Sequence, residues 1–453
     1  MNLQRMVPLA VAATLAACNG AGSFTNAPAA SPPLHREVRR STTPIQHVIF
    51  IFQENRSFNN LFMGYPHART QDYGYDTKGD KIVLQPENLA TIWDVDHSST
   101  GFFAACNGSK KLPGTRCKMN GWNKELTTGP APTNAAYSYV PKSQIEPYWK
   151  MAEQYVLADR TFASNLDGSF VAHQFAVAAY ASKTVDLPAT SWGCEGGKYD
   201  TVATLTAKRT YGPSIVACFD NPTIASEADT AGVSWRFYAG DIHGDGGPWS
   251  SYQADSAIFK GPDWKADVIN PPSQFLKDVA AGTLANVTWI TPTYENSDHP
   301  GVSASGGPGW VASVVNAVGE SQFWNSCAIF VMWDDWGGLF DPVRPAYADY
   351  DGLGFRVPLI MISPYAKQGY VTHVQYETSS VLRYLENNFG LAPLAASDAR
   401  ANDPAGDAFD YSQQPRKFKQ FNGAKPYAHW RARDRAGRAR GEATHAPDAC
   451  PSR

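Results

Sequence analysis

Short apolar runs, each ending in a polar turn, recur along the chain. Their strand-like length and their content of β-branched and aromatic residues predict strands that are buried on both faces, as in a parallel sheet. The predicted strands are His47–Phe52, Val233–Tyr238, Val287–Ile290, Ala328–Trp333 and Val357–Ile362.

Helical patterns alternate with these runs. An Ala-rich stretch at Val171–Ala181, the apolar spacing of Trp310–Glu320 and the Ser and Gly boundaries of Ser379–Phe389 predict three helices. This alternation predicts an α/β fold with a central, mostly parallel sheet flanked by helices. Residues 64–140 lack such periodicity and predict a loop-rich insertion, and Val156–Thr161 is interpreted as a connection towards the sheet.

Two of the predicted strands end in side chains that suit metal binding. Glu54 and Asn55 follow the first strand, and Asp334 and Asp335 follow the fourth. Because ligands of open α/β sheets gather beyond the carboxyl ends of strands, we expect these four side chains to share one site. Adjacent carboxylates need a cation to offset their charges, and oxygen ligands suit a hard divalent metal ion. Mg, Mn, Ca and Fe are all compatible with such ligands, and so is Zn.

Each of these motifs has a simpler interpretation when taken alone. The pair Asp334-Asp335 is also compatible with a solvated loop or a helix cap. Glu54 could simply form an ion pair with Arg56. The metal site is favoured because two such groups follow separate strands.

Ser169 is the candidate nucleophile. It follows Gly168 at the predicted start of a helix, where backbone N–H groups favour a phosphate. A nearby metal ion would lower the pKa of its hydroxyl. The alternative is a helix N-cap, which is the commoner role of a serine at such a position. The sequence has no Gly-x-Ser-x-Gly motif, which disfavours a serine-esterase triad.

Three histidines in polar loops are candidates for acid catalysis. His97, His243 and His299 could protonate a leaving oxygen or bind phosphate oxygens. Each of them is also compatible with a structural role in a loop. His173, four residues after Ser169, is compatible with helix packing.

The N-terminus predicts export. Residues 1–18 combine one positive charge with the short apolar run Val7–Ala17, which is typical of a signal peptide and too short to span a bilayer. Leu15–Cys18 resembles a lipobox, which would make Cys18 a lipidated N-terminus; an ordinary signal peptide is the alternative. Residues 19–43 predict a linker. We therefore expect a bacterial periplasmic or cell-surface protein with a lipid anchor in the membrane.

The six remaining cysteines are an even number, which predicts disulfides in an exported chain. Proximity in the sequence favours Cys106–Cys117 and Cys194–Cys218 and leaves Cys327–Cys450, although other pairings are open. Residues 44–395 are the predicted catalytic domain, and the Arg-rich residues 396–453 are a predicted tail packed on it or tethered to it. The net charge of -3 gives no sign of a nucleic-acid partner.

At the residues named above, the chain resembles the bacterial phosphoesterase family of acid phosphatases and phosphatidylcholine-type phospholipases C, which is related to alkaline phosphatase. The matching stretches follow the family's order over residues 44–395. They are Glu54–Phe58, Asp96-His97, Ser297–Pro300, Trp333–Gly338 and Arg356–Pro364.

This resemblance implies an alkaline-phosphatase-like fold and one set of metal ligands. The implied ligands are Glu54, Asn55, Ser169, Asp334 and Asp335. Ser169 matches the family nucleophile, with Ser164 as the alternative. The resemblance places His97 and His299 near the phosphoryl group and His243 there more loosely.

The chain also departs from the family's motifs at three places. Asn59 stands where the family often has Asp, and Phe340–Val343 lacks the family's His. The nucleophile motif reads Asp167-Gly168-Ser169 in place of Gly-Pro-Thr/Ser.

The predicted function is metal-dependent hydrolysis of small phosphate esters by an acid-phosphatase-like phosphomonoesterase through a phosphoserine intermediate. The alternative is a phospholipase C acting on phosphocholine-type lipids. Family phospholipases often carry extra C-terminal β-domains, for which this chain has no room, and this favours the phosphomonoesterase. A third hypothesis is a catalytically inactive surface-binding lipoprotein.

Overall fold

An eight-stranded sheet forms the centre of the computed structural model, which describes residues 41–108, 116–244 and 246–441. In chain order the strands are β1 (His47–Gln53), β2 (Val156–Ala158), β3 (Trp235–Tyr238), β4 (Val268–Ile269), β5 (Val287–Ile290), β6 (Cys327–Trp333), β7 (Leu359–Ile362) and β8 (Tyr370–Thr372). Their spatial order is β4-β3-β5-β1-β6-β7-β2-β8. Among these strands, β7 alone runs antiparallel to its neighbours.

The strands at the middle of the sheet are buried on both faces. All residues of β6 are buried, and in β1 only His47 is partly exposed. Strands covered on both sides need apolar residues at successive positions, which explains why the sequence shows continuous runs and no alternation. The predicted α/β class with a mostly parallel sheet is confirmed.

Thirteen α-helices surround the sheet in the described residues. They are α1 (Phe58–Phe62), α2 (Ser99–Cys106), α3 (Glu146–Gln154), α4 (Ser169–Ala178), α5 (Ile224–Ala231), α6 (Ser256–Lys260), α7 (Asp263–Ala266), α8 (Gln274–Ala280), α9 (Gly307–Gly319), α10 (Ser379–Phe389), α11 (Ala396–Arg400), α12 (Ala405–Ala408) and α13 (Tyr427–Gly441). Short 3₁₀ turns lie at Trp122–Lys124, Lys142–Gln144, Cys194–Tyr199, Gly247–Trp249, Ser251–Ala254, Tyr294–Asn296 and Trp324–Ser326.

Element boundaries differ from the predictions where proline or tertiary pairing decides them. The last predicted strand starts at Leu359, because Pro358 has no N–H to donate to a neighbouring strand. Helix α9 starts three residues early, since Pro308 suits a first helical turn. The predicted connection Val156–Thr161 contains strand β2, which is too short to show a pattern and is fixed by pairing with β7 and β8.

Small paired strands hold the predicted loop-rich insertion and neighbouring loops. Tyr73–Tyr75 pairs with Lys81–Val83, Gln85–Pro86 with Ser138–Tyr139, Asp94–Val95 with Thr127–Thr128, Thr161–Phe162 with Tyr376–Glu377, and Thr201–Thr204 with both Thr184–Val185 and Ile215–Val216. The ribbon Asp94–Val95/Thr127–Thr128 leads directly into His97 and therefore belongs to the site described below.

Two of the three predicted disulfides are present and are confirmed. They are Cys106–Cys117 and Cys194–Cys218. The third prediction needs correction, because Cys327 is a free thiol. It begins the central strand β6 and is fully buried between β1 and β7. Cys450 lies outside the described residues.

The C-terminal residues that the structure describes pack against the sheet domain. Trp430 on α13 is 2% exposed, and its ring meets Trp310 of α9 at 5.4 Å between centroids. The Trp430 indole N–H donates to the Ser313 hydroxyl at 2.9 Å. The predicted signal peptide, lipidated Cys18 and most of the linker lie outside the described residues. Within those residues, none of the helices combines the length and apolar content needed to cross a bilayer.

One partner of a buried ion pair lies in the segment Phe340–Val343, where the chain departs from the family's motifs. Asp341 accepts hydrogen bonds from Arg356 Nε at 2.8 Å and Nη2 at 3.0 Å, and both side chains are fully buried. The Asn59 N–H also donates to Asp341 at 3.2 Å, and the guanidinium lies over the Phe58 ring. These residues tie the segment after β1 to the segment before β7.

We therefore predict that Asp341→Asn lowers the free energy of unfolding by about 3–5 kcal/mol, because the Arg356 charge stays buried without its partner. Urea unfolding followed by tryptophan fluorescence measures this loss. Asp72→Asn, at an exposed carboxylate, is the control and should change stability by less than about 0.5 kcal/mol. Equal losses in both variants would refute the role assigned to the pair.

Candidate active site

The carboxyl ends of β1 and β6 form the floor of the site. The two strands pair in parallel with Gln53 opposite Trp333, so the residues that follow them meet at one edge of the sheet. The Asp334 N–H donates to the Gln53 carbonyl at 3.0 Å, and the Asn55 N–H donates to Asp334 Oδ1 at 2.9 Å. Strand pairing therefore brings together side chains that lie almost three hundred residues apart in the sequence.

Tight turns allow both strand ends to face inwards. Asn55 has a φ of 55°, and Gly337 and Gly338 have φ values of 62° and 65°. A Cβ at position 337 would overlap the Asn55 carbonyl, so the close approach requires glycine there. The Gly337 N–H donates to Asp335 Oδ1 at 2.6 Å, which fixes that carboxylate inside the turn.

Ser169 lies above this floor. It is the first residue of α4, and its hydroxyl is 3.1 Å from Asn55 Oδ1 and 3.5 Å from Asp335 Oδ2. The N-cap position is occupied by Gly168, so the N-cap alternative for Ser169 does not apply. A Cβ at Gly168 would lie 3.1 Å from the His97 ring, so glycine lets His97 approach the residues just before Ser169.

Ser164, the alternative nucleophile, is committed elsewhere. Its hydroxyl donates to Glu377 Oε2 at 2.8 Å and accepts from the Ser379 N–H at 3.1 Å. Glu377 is in turn bound by Arg400. Ser164 thus belongs to a buried structural network, and the structure brings only Ser169 to the strand ends.

His97 and His299 face Asn55 from the opposite side. Their Nε2 atoms each lie 2.8 Å from the Asn55 side-chain amide. The Nδ1 of His97 lies 2.8 Å from the Val95 carbonyl, and the Nδ1 of His299 faces the Pro300 carbonyl. Because carbonyl oxygens only accept, both Nδ1 atoms carry protons, which leaves Nε2 of each ring for chemistry.

The side-chain amide of Asn55 links the two halves of the site. With its nitrogen towards neutral His97 and His299, its oxygen lies 3.1 and 3.3 Å from the Asp334 carboxylate oxygens. The opposite orientation would require both imidazoles to be doubly protonated. Two acceptor groups facing each other at this distance repel unless a cation or a proton offsets them. The residues present therefore fit a hard metal ion with oxygen ligands.

Two further residues join the site that the sequence analysis did not include. His173 Nε2 lies 3.0 Å from Glu54 Oε1 and 4.0 Å from Asp334 Oδ2, so these three could also hold a metal ion. The interval of four residues from Ser169 puts His173 on the same helix face, a signal that the packing interpretation overlooked. Asp94 lies beside His97 and His299 in a second such group.

The simple ion-pair interpretation of Glu54 is wrong. Arg56 turns away from Glu54 and donates from Nε to the Asp298 carbonyl at 2.8 Å and from Nη2 to the Leu89 carbonyl at 2.7 Å. Tyr148 donates to Asp298 Oδ2 at 2.6 Å. Burial raises the pKa of Asp298 to about 6, although this hydrogen bond and Arg56 oppose the shift. These contacts fix the turn that presents His299.

The structure does not bring His243 into the site. Its side chain is 57% exposed, and Nε2 lies 3.2 Å from Glu195 Oε1 at the surface. The loop that contains His243 is rich in glycine. No predicted strand or helix beside this loop indicated where the His243 side chain would lie. A role for His243 near the phosphoryl group therefore has no support from this geometry.

A comparison with known families identifies this arrangement. The chain matches the model described as the Phosphoesterase family over residues 45–392. It belongs to the Phosphoesterase family. The match starts just before β1 and ends just after α10, so both strand ends and the helix that starts at Ser169 lie inside it. The predicted family resemblance is confirmed.

Similar proteins include three phospholipases C. The non-hemolytic phospholipase C of Pseudomonas aeruginosa is 25% identical, over 79% of this chain and 56% of its own length. Phospholipase C A of Mycobacterium tuberculosis is 25% identical, over 82% of this chain and 78% of its own. Non-specific phospholipase C1 of Arabidopsis thaliana is 24% identical, over 77% of this chain and 67% of its own length. The phosphoesterase thus spans little more than half of the Pseudomonas protein.

Solved structures with a similar fold include a protein in the alkaline phosphatase superfamily from Vibrio parahaemolyticus. It is 8% identical, with a TM-score of 0.37 over 80% of this chain and 72% of that one. Murine ectonucleotide pyrophosphatase/phosphodiesterase 5 is 7% identical, with a TM-score of 0.38 over 59% of this chain and 96% of the murine chain. These scores are low, and the family assignment rests on the sequence match.

The Gly337 turn provides a test of the site's construction. We predict that Gly337→Ala lowers the free energy of unfolding by about 1–3 kcal/mol more than Gly64→Ala does, because only the first substitution forces a Cβ into neighbouring backbone. Gly64 is a matched control, since its φ is 77° and its Cβ would meet open space. Urea unfolding of both variants measures the difference. Equal stability would show that the two strand ends do not approach as described.

Proposed function

We propose that this phosphoesterase hydrolyses phosphoric esters, with Ser169 as the nucleophile. The observation that carries the proposal is the position of the Ser169 hydroxyl, which lies between the Asn55 amide oxygen and the Asp335 carboxylate at the start of a helix. The helix N-terminus favours the negative charge of a phosphoryl group beside the hydroxyl. The family and its phospholipase C relatives support the same class of reaction.

Five residues would hold the divalent metal ion. They are Glu54, Asn55, Ser169, Asp334 and Asp335, with His173 close to the Glu54 and Asp334 carboxylates. When bound, the ion supplies positive charge that lowers the pKa of the serine hydroxyl and offsets the charge of the phosphoryl oxygens. Its identity is open among Mg, Mn, Ca, Fe and Zn, since oxygen ligands accept all of them.

The chain's own residues divide the reaction between them. Ser169 Oγ forms a bond to phosphorus as the bond from phosphorus to the leaving oxygen breaks. The unprotonated Nε2 of His97 or His299 takes up the proton that the Ser169 hydroxyl releases and passes it to that leaving oxygen, while the Nδ1 proton stays held by a carbonyl. Water then attacks the phosphoserine and regenerates the hydroxyl. Asn55 holds both imidazoles towards the phosphoryl position.

Two substrate classes are compatible with this chemistry. The sequence analysis favours a small phosphomonoester, as in acid phosphatases. The names of the relatives favour a phospholipid cleaved between glycerol and phosphate, as in phospholipases C. The reacting groups are the same in both cases, so the difference must lie in what surrounds the phosphate.

The third hypothesis, an inactive binding lipoprotein, is disfavoured by the site. Glu54, Asp334 and Asp335 are all fully buried, and burying carboxylates is costly without a compensating partner. A protein without catalysis has no evident need for such a group of acids beside a serine hydroxyl.

We predict that Ser169→Ala lowers turnover of 4-nitrophenyl phosphate by about a thousandfold or more, because the covalent step loses its nucleophile. Ser164→Ala is the matched control, a buried serine in the Glu377 network, and should keep activity within about threefold of the parent. Initial rates with added divalent metal measure both. An active Ser169→Ala enzyme would overturn the proposal.

The product identifies the substrate class. With phosphatidylcholine in mixed micelles, a phospholipase C releases phosphocholine and diacylglycerol, whereas a phosphomonoesterase leaves the lipid intact and releases phosphate from monoesters only. We expect the ratio of kcat/KM for 4-nitrophenyl phosphorylcholine to that for 4-nitrophenyl phosphate to exceed one if the phospholipase C interpretation holds. A ratio well below one, with no phosphocholine released, would leave the phosphomonoesterase.

A further inference from the structure

Two exposed apolar side chains flank the ribbon Asp94–Val95/Thr127–Thr128 that leads into the site, one shortly before each of its strands. Ile92 is 62% exposed and precedes Asp94 by two residues, while its neighbour Trp93 is buried. Leu126 is 56% exposed, and its carbonyl accepts from the Asp96 N–H at 2.8 Å, one residue before His97. Isolated apolar residues are common on surfaces, but these two flank the same ribbon beside the candidate catalytic histidines.

A basic helix lies beside the same site. Helix α13 carries five arginines and one acid, although the whole chain has a net charge of -3. That acid, Asp434, is 5% exposed and accepts from the Ser273 N–H at 3.3 Å, so its charge faces inwards. Arg435 is exposed and Arg431 partly exposed. The described part of this helix therefore exposes Arg431 and Arg435, while its one acid is turned inwards.

Both features contact the loop that presents His299. From the ribbon side, the Thr91 hydroxyl accepts from the Gly301 N–H at 2.9 Å. From the helix side, Arg433 Nη2 lies 3.1 Å from Glu295 Oε2 and 3.3 Å from the Glu295 carbonyl. Residues 295–301 thus connect the apolar pair, the basic helix and His299.

We propose that this protein docks onto an anionic phospholipid surface through two contacts, the apolar pair Ile92 and Leu126 and the basic face of α13. Arginines near a negatively charged leaflet are attracted to it, and apolar side chains gain free energy on leaving water for the interface. The inference rests on the proposed function in its phospholipase C form and specifies that the substrate is met in an aggregated lipid surface.

Sedimentation with phosphatidylglycerol vesicles tests the proposal, in a Ser169→Ala background so that turnover cannot alter the lipid. We expect R431E/R435E and I92S/L126S each to weaken vesicle partitioning by about tenfold or more, because each removes one of the two contacts. One control is K78E/K208E, which makes the same charge change at two exposed lysines. The other is V83S/V216S, which replaces two exposed apolar side chains by serine away from the ribbon. The vesicle partitioning of both controls should stay within about twofold of that of the Ser169→Ala parent.

Several outcomes would overturn the proposal. The first two are no binding of the protein to phosphatidylglycerol vesicles and equal binding to phosphatidylcholine vesicles. The other two are a loss of vesicle binding in the control variants as large as in the test variants, and unchanged vesicle binding by both test variants. Stronger binding to soluble heparin than to vesicles would also contradict it and would indicate a polyanion partner. Vesicle binding without turnover of any phosphate ester would remove the proposed function and leave the docking surface intact.

Discussion

Three carboxylates buried at one edge of the sheet set the main constraint on this structure. Glu54, Asp334 and Asp335 have no solvent exposure, and the pairing of β1 with β6 prevents them from separating. Like charges so placed destabilise the fold unless a cation, a proton or a hydrogen-bond donor offsets them. The rest of the site supplies such groups, through the Asn55 and Gly337 N–H donors.

The same constraint explains the arrangement of the second half of the site. The Asn55 amide can face two neutral imidazoles only by turning its oxygen towards the Asp334 carboxylate, which favours a cation at that point. Metal binding and the orientation of His97 and His299 are therefore parts of one arrangement. A single amide side chain thus contacts both imidazoles and the hydroxyl of Ser169, the proposed nucleophile.

The sequence predicted the central part of the fold because burial on both faces leaves a direct trace in continuous apolar runs. It also predicted that Asn55 and Asp335 would meet, since strand ends of a parallel sheet share one edge, and the family resemblance added Ser169 to them. It failed where tertiary contacts decide the outcome. The free thiol of Cys327 and the surface position of His243 could not be read from their local patterns.

The most direct test of the account is metal binding by the metal-free protein in equilibrium dialysis against Mn²⁺, with Asp334→Asn/Asp335→Asn as the comparison. The account predicts about one tightly bound ion per chain in the parent and none in the double variant, with both proteins folded by circular dichroism. Equal binding by the two proteins, or no binding by the parent, would contradict the claim that the ends of β1 and β6 form a cation site.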